Sequence, residues 1–134
     1  MKILVDLNVI LDYLEDRAPF ADEAENVIED KGNQLFVSAH MVTTAFYLMR
    51  GCGIEAQNAA LDFIFDNFTV LPCDKPTLTS ARALEFTDYE DAVAAAAAKK
   101  ARCAYIITRN KRDFANSPVP ALTPGEFLTL PNST

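Results

Sequence analysis

Hydrophobic positions along this chain alternate between two periods. Short apolar runs at Ile3-Leu4-Val5, Gln34-Leu35-Phe36-Val37, Phe68-Thr69-Val70-Leu71 and Tyr105-Ile106-Ile107 read as strands, the first and the last of them buried. Between them the apolar residues recur at helical spacing. Val9 to Leu14 forms one such stretch, and Phe20, Ala24, Val27 and Ile28 form a second, with Gly32 just past its end. Ser38 is placed to cap a third helix running to Arg50 and stopped by Gly51 and Gly53. Residues 54 to 68 supply a fourth, and a fifth starts at a cap on Asp74 and passes through Leu78, Ala81, Leu84 and Phe86.

Thr87-Asp88-Tyr89-Glu90 has the spacing of a capping box, Thr87 with Glu90, and opens a helix carrying the run Ala94 to Ala98. Such a run suits a helix packed close against a sheet. Val119 to Leu122 reads as an edge strand, where Pro120 is tolerated, and Thr123-Pro124-Gly125-Glu126 opens a last short helix. Strands alternating with helices predict a parallel sheet covered on both faces. With 134 residues and no repeat or linker, the expectation is one α/β domain spanning residues 1–134.

Composition narrows the chemistry. The formal charge is −7, from 19 acids against 12 lysines and arginines, which argues against bulk attraction to nucleic acid or an anionic membrane. Cys52, Cys73 and Cys103 form no CxxC pair and His40 is the only histidine, which argues against a zinc site of the usual kind. The cysteines read as packed thiols, His40 as a surface or capping residue, and Lys99, Lys100 and Arg102 as the solvated end of their helix. No leader or membrane span is evident, and the cytoplasm is the expected compartment.

The candidate chemistry lies at one rim of the predicted sheet. In open parallel sheets, ligands sit beyond the carboxyl ends of the strands. That rim gathers Asp6 and Asn8 after the first strand, Asn110 and Asp113 after the fourth, and Asp88 and Asp91 at the head of the alanine helix. Asp88 and Asp91 are i, i+3 neighbours on one side of the first turn. Converging carboxylates repel unless a hard cation such as Mg²⁺ or Mn²⁺ joins them. Several acids have a plainer reading as well: Glu90 and Asp88 serve a helix dipole, Asp6 a cap, and Asp113 a turn.

These residues resemble a known family. Asp6-x-Asn8 with its aliphatic continuation, Asp88-Tyr89-Glu90-Asp91-Ala92 before a small-residue helix, and Ile107-Thr108-Arg109-Asn110-x-x-Asp113-Phe114 are similar in order and spacing to a PIN domain, closest to the VapC-like toxin ribonucleases. The resemblance implies a three-layer α/β/α sandwich and a Mg²⁺- or Mn²⁺-dependent endoribonuclease acting on RNA. It assigns Asp6, Asp91 and Asp113 as catalytic and metal-binding residues, with Asn8, Asp88 and Asn110 in support. Arg109, Lys111 and Arg112 would meet substrate phosphates. A cognate antitoxin and a homodimer built on the 38 to 68 helices are implied partners.

One position departs from the pattern. The family places an acid in the helix after the second strand, and residues 38 to 50 hold none; Thr44 stands in its place. Two other readings stay open: a catalytically weak PIN-like module that binds RNA or protein, and a phosphoacceptor domain presenting Asp6.

Overall fold

The computed structural model describes residues 1–131. Five strands form one sheet: β1 (Lys2–Val5), β2 (Gln34–Ser38), β3 (Thr69–Leu71), β4 (Tyr105–Ile107) and β5 (Ala121–Leu122), in spatial order β3-β2-β1-β4-β5. All four pairings are parallel. The helices between them are α1 (Leu7–Leu14), α2 (Ala21–Ile28), α3 (Ala39–Leu48), α4 (Ile54–Asn67), α5 (Lys75–Ala83) and α6 (Tyr89–Lys100), and α7 (Pro124–Leu128) follows the last strand.

Strand order fixes the layers. From β1 the chain steps to β2 and then β3 in one direction, and afterwards crosses back to β4 on the other side of β1. With right-handed crossovers, α1 to α4 cover one face and α5 and α6 the other. This is the expected three-layer α/β/α sandwich. β1 and β4 lie side by side while their outgoing connections run opposite ways, so a crevice opens at their carboxyl ends.

The core explains why α6 is nearly all alanine. Ala94, Ala95, Ala97 and Ala98 pack into the main cluster with Ile3, Leu4, Val5, Ile106 and Ile107. Ala92, Val93 and Ala96 pack outward onto Ala81 of α5. A helix covered on both sides has no polar stripe, and small side chains let it approach both neighbours closely.

Several boundaries differ from the sequence expectation. Thr87 is not the cap of α6: Asp88 is, accepting hydrogen bonds from the Glu90 and Asp91 amides at 2.9 and 3.4 Å. One oxygen of the Asp88 carboxylate reaches both amides, which the Thr87 hydroxyl one residue earlier does not. The capping box forms instead at α7, between Thr123 and Glu126. Ser38 occupies the residue before α3 and its hydroxyl caps nothing. Helix α3 ends at Leu48 and a 3₁₀ turn, Arg50–Cys52, follows. Helix α5 stops at Ala83, short of Phe86, because Glu85 takes a left-handed φ of 57°. Phe86 turns to pack edge-on against Phe114, with ring centroids 5.9 Å apart.

Candidate active site

The crevice at the ends of β1 and β4 is organised around Asp6. Its backbone amide continues the sheet by donating to the Ile107 carbonyl at 2.8 Å, and its side chain is 6% exposed. One carboxylate oxygen accepts from the Leu7 amide at 2.9 Å. The other accepts from the Thr108 hydroxyl at 2.7 Å and the Asn8 amide nitrogen at 3.3 Å. Burial raises the Asp6 pKa, the Thr108 and Leu7 hydrogen bonds pull it down, and the charges of Asp88 and Asp113 raise it again.

Asn8 and Thr108 hold the β4 loop as well as Asp6. The Asn8 side-chain oxygen accepts from the Arg109 amide at 3.4 Å, and the Thr108 hydroxyl accepts from the Asn110 amide at 3.0 Å. Asp113 follows in a 3₁₀ turn, Lys111–Phe114, with Phe114 buried beneath it. The turn therefore sets Asp113 relative to Asp6 through backbone geometry.

Asp91 enters from the head of α6. No protein group donates a hydrogen bond to its carboxylate among the described residues. Half-buried, it has a pKa pushed up to about 7, first by desolvation and then by the charges of Asp6, Asp88, Asp113 and Glu90. Asp6, Asp88, Asp91 and Asp113 therefore sense one another's charge, and the structure brings the predicted acids to one rim. A cleft of about 460 Å³ beside them is walled by Asp88, Arg112, Asp113, Thr87, Phe86 and Asn116.

The donor chemistry fits a hard divalent cation, because every candidate ligand is an oxygen and the carboxylates repel. Mg²⁺ in particular is held by one or two carboxylates with waters and substrate phosphates. Among the described residues, no three His, Cys, Asp or Glu side chains group closely enough to hold an ion between them. Thr44 adds no carboxylate, and its hydroxyl donates to the His40 carbonyl one turn back at 3.1 Å.

The expected substrate cations fare differently. Arg109 points its guanidinium at Asp12, with Nε 2.7 Å from one carboxylate oxygen and an η nitrogen 3.3 Å from the other. It also stacks over the Phe20 ring, 4.1 Å from the centroid. Asp12 is 1% exposed, so this pair is structural. Lys111 meets Glu126 at 2.9 Å on the surface, a contact worth little. Arg112 faces the cleft.

Three contributors were not legible as site residues. Thr108 and Asp12 act through partners about a hundred residues away. His40 is neither a free surface residue nor a cap: its Nε2 lies 2.9 Å from the Glu90 carbonyl and its Nδ1 3.3 Å from the Cys73 sulfur. A carbonyl only accepts, so Nε2 donates and Nδ1 accepts from the Cys73 thiol. This chain ties the start of α3 to the head of α6, beside the acids.

Fold and rim together define a PIN domain: that family matches residues 2–112, and the chain belongs to it. Among curated proteins the chain is similar to ribonuclease VapC1 of Aquifex aeolicus, 25% identical over 94% of this chain and 92% of the relative. Among solved structures it resembles a toxin–antitoxin complex from Klebsiella pneumoniae, with a TM-score of 0.73, 24% identity, and coverage of 91% of this chain and 97% of the other. It also resembles VapC20 of Mycobacterium tuberculosis, a toxin that cleaves the sarcin-ricin loop, with a TM-score of 0.67, 18% identity, and coverage of 78% and 86%.

Proposed function

We propose that residues 1–134 form a single-domain, Mg²⁺- or Mn²⁺-dependent endoribonuclease, the toxin of a toxin–antitoxin pair, acting in the cytoplasm. The observation that carries this reading is the group of four mutually repelling acids at the β1–β4 crevice of a PIN fold, with Asp91 pushed up to about 7.

Asp6 and Asp91 are the residues that would hold the ion, with Asp113 completing the set and Asp88 assisting. Bound there, a divalent ion supplies an activated water and stabilises charge developing on the phosphate. The remaining work belongs to the chain. Thr108 and Asn8 fix the Asp6 carboxylate by hydrogen bonds to one of its oxygens. Asn110 anchors the loop that carries Asp113. Arg112 meets RNA phosphates at the cleft, Lys111 meets them from the preceding position of the same 3₁₀ turn, and Arg109 holds the loop through Asp12.

The toxin reading carries an antitoxin as partner, and a net charge of −7 suits a basic segment. A homodimer would use Tyr47, Leu48, Ile54 and Phe65, which stand exposed on and between α3 and α4.

The test is Mn²⁺-dependent RNA cleavage by the purified protein beside Asp6→Asn. Cleavage that falls at least about 100-fold in the variant supports the reading. Equal cleavage in both, or none in either, defeats it. The absent helix acid and the lack of a closed metal group favour a second reading, a weak PIN-like binding module. Under it, Mn²⁺ binding is missing in the native chain and appears in Thr44→Glu.

A further inference from the structure

The bare fold makes no use of the Ser38 hydroxyl. Ser38 ends β2, is fully buried, and its Oγ has no hydrogen-bond partner among the described residues. It occupies the residue before α3, where a serine ordinarily accepts from an amide of the first turn, yet no such bond forms. A buried hydroxyl left without a partner is destabilising. Alanine at this position would leave the bare fold more stable.

Register shows where the hydroxyl stands. The β1–β2 pairing sets Leu4 beside Phe36, so two residues further on Ser38 lies beside Asp6 and on the same face of the sheet. The β1–β4 pairing sets Val5 beside Ile107, so Thr108 flanks Asp6 on the other side. Three strand ends thus present a row, Ser38, Asp6, Thr108. The Thr108 hydroxyl donates to Asp6, and the Ser38 hydroxyl is the unused member of the row. It also stands on the α3 side of Asp6, the side on which Thr44 brings no acid.

We infer that Ser38 is a positioning residue of the acid crevice, its hydroxyl bonding a water carried by the divalent ion on the β2 side of Asp6. This rests on the metal-binding reading above. A hydroxyl both donates and accepts, so it suits a water whose protons point away from the cation.

The test pairs Mn²⁺ calorimetry with the melting temperature of the metal-free protein, for wild type and Ser38→Ala. The inference expects an unchanged or higher metal-free melting temperature in the variant, with Mn²⁺ affinity weaker by tenfold or more, the range for groups supporting metal ligands. Affinity within twofold of wild type overturns it. A metal-free melting temperature that drops in the variant also overturns it, since the hydroxyl would then serve the bare fold. Wild type that binds no Mn²⁺ removes the metal reading and this inference together, and the wild-type titration alone separates that failure from the others.

Discussion

The two sides of the acid crevice are built on opposite principles. On the strand side, Asp6 is buried and receives three hydrogen bonds, from Leu7, Thr108 and Asn8. On the helix side, Asp91 is half-buried and its carboxylate receives none from the described protein. Hydrogen bonds to the ionised form pull the Asp6 pKa down against its burial. Among the described residues no hydrogen bond or cation offsets burial and repulsion at Asp91. The Asp6 carboxylate is satisfied as folded, whereas Asp91 holds charge that a cation would satisfy.

The strand side depends on a pair outside the crevice, and breaking it has the largest effect on stability. Arg109→Met strands Asp12 in the interior with only Arg17 nearby, 3.8 Å away. Removing one partner of a buried ion pair costs about 3–5 kcal/mol, and Arg17 places this case near the low end. Urea unfolding reads that loss, and Asp12→Asn added to Arg109→Met should recover part of it. A loss below about 1 kcal/mol would mean that the pair behaves as an exposed one.

The helix side carries a pH dependence of its own. An Asp with a folded pKa of about 7, against 3.8 ordinarily, binds its proton more tightly when folded. Its contribution is therefore fully present at low pH and is lost as pH rises through 7. The metal-free melting temperature should fall between pH 5 and 8, and Asp91→Asn should flatten that fall. An identical slope in the variant would place the pH dependence elsewhere.

The smallest predicted effect lies at the link between the halves of the sheet's rim. His40→Ala removes the donor to the Glu90 carbonyl and the acceptor for the Cys73 thiol. A loss of about 1 kcal/mol is expected, the usual net worth of one such hydrogen bond. Chemical denaturation of the variant checks it, and no loss would show that α6 is held by packing alone.

Much of the fold was legible because the strands are short apolar runs and most helices keep their period, while α6 declared itself by its alanine run between an acidic head and a basic end. The acids of the rim were legible too, since Asp6, Asp91 and Asp113 follow local signals at strand ends and a helix head. What sequence reading missed is non-local or a competition between neighbours. Asp12 meets Arg109 across 97 positions and His40 meets Glu90 across 50, and no spacing rule spans either. Thr87 and Asp88 both suit a cap, and the choice turned on which oxygen reached two amides. Ser38 carries the ordinary signal for a cap, yet β2 continues through it and buries its side chain.

In the proposed enzyme the strand side and the helix side share one divalent ion. The most direct test is the Mn²⁺-induced rise in melting temperature at pH 8, measured in wild type, Asp6→Asn, Asp91→Asn and the double variant. A shared ion predicts a rise in wild type that is lost in either single variant, with no further loss in the double. A full rise that survives in Asp91→Asn would contradict it, leaving the ion to Asp6 and its strand-side neighbours alone.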